Sequence, residues 1–263
     1  MQFGPLMLKR CRYGWMLFSG PIIGKCFELY GEYSESELMM MRAFLRPGDS
    51  VIDVGANMGD LTLPLAQFVG ETGRVYALES NPDVFNVLCA NLALNQVRNV
   101  KPVNAFVTFG GERDTSSAVW GKHAFVGDRW EPTFIALDDL ALDSLALIKI
   151  DVDGKELSVL KSGAMQIERF RPTLYLENDV RAASRDLLTY IIDELEYDVY
   201  WHLAPVFDRQ NYFGNPVNHW APAEMLSIMM IGMPSERKIV IPDLPRITSV
   251  DDWWEARTTL SAE

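Results

Sequence analysis

Few folds accommodate a β-branched run that carries an acid next to its end and breaks at once into a glycine turn, as Ser50-Val51-Ile52-Asp53-Val54 does before Gly55-Ala56-Asn57-Met58-Gly59. The spacing predicts a strand over 50–54, a tight turn, and a helix over 61–69 whose Pro64 lies near the first turn, where a missing N–H is tolerated. Gly55 lets the backbone turn and approach a ligand without a Cβ, and Gly59 permits close helix–strand contact. A ligand in such a fold lies beyond the carboxyl ends of the strands, at a topological switch point.

The same rhythm continues downstream. Strands are predicted over 74–78 (ending at Glu79), 100–106, 145–152, 172–176, 197–203 and 225–231, with helices over 82–94, 155–162 and 184–195. Strand and helix in alternation argue for an α/β fold with a mostly parallel, doubly wound sheet of about seven strands. The run 145–152 is almost wholly apolar before Lys149, as in a strand buried on both faces. Upstream, 33–45 reads as a helix opening on acidic residues, which suit its dipole, and Arg46-Pro47-Gly48-Asp49 ends it. The segment 107–132, with its isolated Trp120 and Trp130, reads as irregular or hairpin-like, a wall of the substrate site or a cover for a sheet edge. No internal repeat divides the chain. The organisation expected is a helical or lid segment over 1–45, one domain over 46–241, and a tail over 242–263 held by Trp253 and Trp254, with a homodimer contact as one use for it.

Charge narrows the partners. The net charge of -12, from 36 acidic and 24 basic residues spread along the chain, repels a polyanion, so nucleic acid is a poor partner. Cys11, Cys26 and Cys89 form neither a disulfide framework nor a zinc spacing, which suits a reducing, cytoplasmic setting. Lys9, Arg10 and Arg12 precede an apolar stretch over 15–23 that is too short to span a bilayer and is broken by Ser19, Gly20 and Pro21. It reads as a lid packing on its own domain, with contact to a membrane surface or lipid-linked substrate as the alternative.

Two cofactors could use the glycine crevice. A dinucleotide site prefers G-x-G-x-x-G. Here Asn57 stands where the middle glycine would be, which suits a pyrophosphate less, while Asp53 is positioned to face the ammonium of a methionine moiety. Glu79 can accept from both ribose hydroxyls in either case.

The chain resembles the FkbM-type methyltransferase family through G-E-Y-S-E-S-E (31–37), R-P-G-D-S-V-I-D-V-G-A-N-M-G-D (46–60), G-R-V-Y-A-L-E-S-N-P (73–82), N-L-A-L-N (91–95), L-D-D-L (137–140), I-K-I-D-V-D-G-K-E-L-S-V-L-K-S-G (148–163) and R-P-T-L-Y-L-E (171–177). The resemblance implies a Rossmann-like class I methyltransferase fold, S-adenosylmethionine as donor, and O-methylation of a sugar, glycolipid or small-metabolite hydroxyl. It further implies that Asp53, Gly55, Asn57 and Gly59 line the methionine end, that Glu79 takes the ribose beside Ser80, and that Asn104 and Ala105 lie near the adenine. Tyr33, Glu35 and Glu37 would close over the cofactor. Asp153 departs from the commoner glutamate of the family.

An alcohol acceptor must lose a proton, which invites a general base or a metal. Candidates cluster at the ends of strands four and five: Lys149, Asp151, Asp153, Glu156, Glu177 and Asp179. Asp151 heads them, both for catalysis and as a neighbour of the cofactor. Asp153, Glu177 and Asp179 together form a candidate Mg²⁺ site, since carboxylate oxygens are its natural ligands. His202, at the end of the sixth strand, is a further candidate base, while His123 and His219 are weaker ones. N-methylation on the same fold and a noncatalytic cofactor- or partner-binding role remain open alternatives.

Overall fold

The computed structural model describes residues 2–3, 5–112, 131–222 and 224–255. The chain opens on a small antiparallel sheet, β1 (Gln2–Phe3), β2 (Leu6–Cys11) and β3 (Gly14–Phe18), followed by helices α1 (Ile23–Leu29) and α2 (Glu35–Arg42). The alternation then begins: β4 (Ser50–Val54), α3 (Thr62–Val69), β5 (Arg74–Glu79), α4 (Pro82–Leu94) and β6 (Val100–Asn104). Two short strands, β7 (Phe106–Val107) and β8 (Phe134–Ile135), pair in parallel beside the main sheet. The rest comprises β9 (Leu147–Ile150), α5 (Glu156–Ser162), α6 (Ala164–Phe170), β10 (Thr173–Glu177), α7 (Arg181–Thr189), β11 (Tyr197–Pro205) and β12 (Leu226–Pro234).

Seven strands form the main sheet in the order β11-β12-β10-β9-β4-β5-β6. From β10 to β6 every pairing is parallel, whereas β12 runs antiparallel to both β10 and β11. Sequence order reverses between β4 and β9, so the crevice for a ligand opens there. Val51, Ile52 and Val54 of β4 are at most 2% exposed, because helices cover both faces of a parallel sheet. The start of α4 follows from its sequence: Asn81 accepts from the backbone N–H of Asp83 and Val84, and Pro82 occupies the first helical position, where its missing N–H costs nothing.

Three differences from the sequence reading have causes in identifiable contacts. The N-terminal segment contains helices, but residues 6–18 form a hairpin instead of a helical lid. It is held by α4: Asn91 donates to Leu17 O and accepts from Leu17 N–H, and Asn95 does the same at Trp15. The third strand stops at Asn104, because Phe106 leaves the sheet to pair with Phe134. Helix α6 follows α5 across Gly163. In the tail, Trp253 is buried against Trp201 of the same chain, edge to face with ring centroids 6.2 Å apart. Most of the expected substrate wall, with Trp120, Trp130 and His123, lies outside the described residues.

Candidate functional site

The carboxyl ends of β4, β5, β9 and β10 open into a cavity of about 420 Å³, within the roughly 300–1,000 Å³ usual for small-molecule sites. Its β4–β5 side is backbone fixed by polar side chains. Gly55 has φ 77°, and a Cβ there would lie 1.9 Å from the Asp151 carbonyl oxygen. The close approach that needs this glycine is therefore between two strand ends. Gly59, φ 87°, meets α4, where an added Cβ would sit 2.9 Å from Leu88 Cδ1. Asn57 adopts a left-handed conformation, and its side-chain oxygen accepts from Met58 N–H. Glu79 accepts from Asn57 N–H at 2.9 Å with one oxygen and from Asn81 N–H at 2.7 Å with the other. Burial pushes its carboxyl up, and the two amides work against that.

Gly55, Asn57, Glu79, Ser80 and Ala105 border the cavity, as does Tyr33. Asn104 does not; its amide donates to the carbonyls of Glu79 and Ser80 and so fixes the loop after β5 from behind. Glu35 is also turned away, accepting from the Tyr13 hydroxyl at 2.7 Å and lying 3.6 Å from Arg12. Glu37 is buried, with its carboxylate taking the Ser34 hydroxyl.

Asp53 is wholly buried and does not border the cavity. One of its oxygens accepts from the Thr62 hydroxyl at 2.6 Å, and the other lies 3.3 Å from the Lys149 ammonium. The parallel register pairs Asp53 with Lys149 across β4 and β9, so neighbouring side chains on one face meet. The ammonium facing Asp53 is thus the protein's own. Lys149 also donates to Gly55 O at 2.9 Å and lies 3.7 Å from the Asp151 carboxylate. Burial opposes its charge, but Asp53, Asp151, Asp60 and Glu37 outweigh burial and hold it above the ordinary lysine range. Such a group keeps its proton and serves as a clamp between strand ends, not as a base. Asp60 is buried too, with one oxygen that has no hydrogen-bond partner among the described residues, and burial raises it to about 7 despite Lys149.

The β9–β10 side differs. Asp151 and Glu177 both border the cavity and are hydrogen-bonded to each other. Burial first, then the charges of Asp151 and Asp179, push Glu177 far above the carboxylate range, so it keeps its proton at neutral pH and can donate it in the hydrogen bond to Asp151. The expected metal set is not assembled. Asp153, exposed in a left-handed turn, borders the cavity as Glu177 does, but Asp179 is exposed and outside its lining, and among the described residues no three His, Cys, Asp or Glu side chains converge to hold a metal ion. Glu156 caps the turn, accepting from Val152 and Gly154 N–H. His202 lies away from the cavity. Its Nδ1 bonds the Tyr175 hydroxyl at 2.8 Å, its Nε2 the Ser36 hydroxyl at 3.2 Å, and burial lowers it to about 4.

Ile22 and Ile23, at the end of the apolar stretch read as a lid, border the cavity from the start of α1, and so does Ser158 of α5, which sequence reasoning missed. They arrive through the docking of the hairpin on α4 and of α5 on the sheet.

Strand order, with one antiparallel strand inserted near the edge, and a crevice over β4 and β5 define a Rossmann-like class I methyltransferase fold. A family model described as Methyltransferase FkbM domain matches residues 53–200, more than half of the chain, and the protein belongs to the FkbM methyltransferase family. Among solved structures, Methyltransferase FkbM from Methylobacillus flagellatus KT is similar with a TM-score of 0.54 at 19% identity, over 79% of this chain and 50% of that one. Among curated proteins, the chain is 32% identical over 77 residues to the tRNA(Phe) (4-demethylwyosine(37)-C(7)) aminocarboxypropyltransferase of Methanocaldococcus jannaschii, covering 29% of this chain and 30% of that protein. It is 32% identical over 81 residues to the 23S rRNA (uracil(1939)-C(5))-methyltransferase RlmD of Acinetobacter baylyi, covering 31% and 17%. The match spans less than a third of either relative. Among the described residues, no helix is long and apolar enough to cross a membrane.

Proposed function

We propose that the protein is an S-adenosylmethionine-dependent O-methyltransferase whose acceptor is a hydroxyl of a carbohydrate, glycolipid or small metabolite. The residues present fit the donor. Glu79 keeps free lone pairs for ribose hydroxyls after accepting two amides, and the Gly55–Asn57 turn leads from there to Asp151. When bound, the donor supplies an electrophilic methyl group on a sulfonium. The chain's own part is to hold donor and acceptor in line and to take a proton.

The observation that carries the reading is the Asp151–Glu177 carboxyl pair in the cavity wall beside the cofactor turn. Asp151, with Lys149 3.7 Å behind it, orients the acceptor hydroxyl and receives its proton. Glu177, held neutral, donates to Asp151 and keeps the wall from carrying two adjacent negative charges. The RNA substrates in the names of the curated relatives suit this chain poorly, because a net charge of -12 and a carboxylate wall repel a polyanion.

Calorimetry with S-adenosylmethionine, S-adenosylhomocysteine and NAD, followed by mass spectrometry of an acceptor panel with labelled donor, tests the reading. Binding of the adenosyl ligands and a mass gain of one methyl on a hydroxyl are expected. Binding of NAD alone would overturn it, and fragmentation that locates the methyl on nitrogen would replace O- by N-methylation. Turnover unchanged by thorough chelation would remove Mg²⁺ from the scheme.

A further inference from the structure

The start of α2 covers a polar stripe of the sheet. Strand register puts Lys149, Tyr175, Glu177 and Ser227 on one face of β9, β10 and β12. Glu37 is buried against that face and gathers three hydroxyls: Ser34 from the residue before its own helix, Ser227 from β12 and Tyr175 from β10. Burial pushes the Glu37 carboxyl up, whereas Ser34, Ser227 and the charge of Lys149 act the other way. A carboxylate accepts from all three, and each hydroxyl has a single proton to give.

That count fixes a direction one bond further on. The Ser227 proton goes to Glu37, so the Tyr33 hydroxyl, which is hydrogen-bonded to Ser227, is the donor in that bond. Tyr33 keeps its proton: burial first, then the charges of Glu37, Asp151 and Asp60, hold it well above the ordinary tyrosine range. A hydroxyl that has donated retains its lone pairs and has no hydrogen to turn toward a ligand. Tyr33 borders the main cavity, as Asp151 does, and feels the Asp151 charge. It therefore stands at the end of the crevice where the reading above puts methyl transfer.

A sulfonium has no N–H or O–H to donate. It is met best by an electron-rich atom that offers no hydrogen of its own, and a phenol free to rotate offers one. A full negative charge would hold the sulfonium too well, because its charge is lost on the way to the transition state and stabilising the ground state raises the barrier. A neutral oxygen locked in one orientation avoids both faults.

We propose that the Tyr33 oxygen is a neutral acceptor for the donor's sulfonium and that Glu37, acting through Ser227, is the positioning residue that keeps it so. The proposal rests on the S-adenosylmethionine reading above and adds the group that senses the transferable methyl.

S-adenosylmethionine and S-adenosylhomocysteine differ by one methyl and one positive charge, so the ratio of their affinities isolates this contact, whereas a merely structural loss weakens both alike. Wild type, Tyr33→Phe, Ser227→Ala, Ser227→Thr and Glu37→Gln are titrated with both ligands by calorimetry. Tyr33→Phe is expected to weaken S-adenosylmethionine by about three- to tenfold, the range of one neutral polar contact, and S-adenosylhomocysteine by less than about twofold. Ser227→Ala and Glu37→Gln are expected to lower the ratio in the same direction with Tyr33 still present, and Ser227→Thr, which keeps the hydroxyl, to hold it at the wild-type value. Equal losses for the two ligands in Tyr33→Phe, or no loss for either, overturn the proposal. A wild-type ratio in Ser227→Ala overturns the part assigned to Glu37, and it decides that point even where Glu37→Gln fails to fold. Wild type that binds neither ligand overturns the donor reading and this proposal with it, whereas wild type that binds both beside an unselective Tyr33→Phe overturns the proposal alone.

Discussion

The two walls of the cavity are built on opposite principles. On the β4–β5 side the polar side chains are already committed: Glu79 to two amides, Asn81 to the start of α4, Asn104 to two carbonyls. On the β9–β10 side the carboxyls of Asp151 and Glu177 lean on each other, Glu177 held neutral beside Asp151. The first wall is a rigid cradle whose shape precedes its ligand. The second stores charge that a reacting ligand can draw on. Lys149 joins them, since its ammonium touches Gly55 O and lies near both Asp53 and Asp151.

Removing that link has the largest expected effect. Lys149→Met leaves Asp53 buried and unpaired, which costs about 3–5 kcal/mol, and urea unfolding should show a midpoint shifted accordingly; an unchanged midpoint would mean the walls stand independently. Next is the pH dependence of the ligand-free protein. Asp60, raised from 3.8 to about 7 by burial, keeps its proton in the folded chain while the unfolded chain loses it. Stability therefore falls as pH rises from about 4 to about 7, by on the order of 3 kcal/mol. Thermal melts of Asp60→Asn should lack that part of the slope, and parallel curves would refute the assignment of the proton to Asp60.

The walls themselves separate in kinetics. Asp151→Asn is expected to lower kcat by roughly 100-fold or more with donor affinity kept within a few-fold, as read by steady-state assay and calorimetry. Glu79→Gln should do the reverse, weakening the donor by about tenfold through loss of a charge-assisted acceptor at nearly constant kcat. If each variant moves both quantities together, the division of labour fails. The smallest effect belongs to His202→Gln, under about threefold in kcat, because both ring nitrogens are engaged away from the cavity and no general-base contribution is lost; a larger loss restores His202 as a base.

Legibility in the sequence followed the range of the contacts. The cradle was readable because its parts are close in the chain: a strand-ending acid, a glycine turn and a helix cap between residues 53 and 82. Asp53 was read as a strand-end acid facing a ligand's ammonium and not as an ion-pair partner within the chain, since Lys149 reaches it only through the register of β4 with β9. His202 sits at a strand position that points toward a substrate mouth on paper, yet Tyr175 and Ser36, from two other elements, capture it. The hairpin escaped for a related reason. What fixes it is Asn91 and Asn95, more than seventy residues away in sequence.

The insertion of β12 between β10 and β11 also sets an order of assembly. Strands β4, β5, β6, β9 and β10 have all left the ribosome before residue 226, but the free edge of β10, with Leu174, Tyr175 and Leu176, stays uncovered until β12 arrives. Pairing over such separations is slow, and an apolar strand edge is a template for a second chain. The cradle can therefore form early in synthesis, while the wall carrying Glu177 is sealed last. A chain cut short before 226 keeps every strand of the cradle and exposes the one edge most prone to pair with another copy.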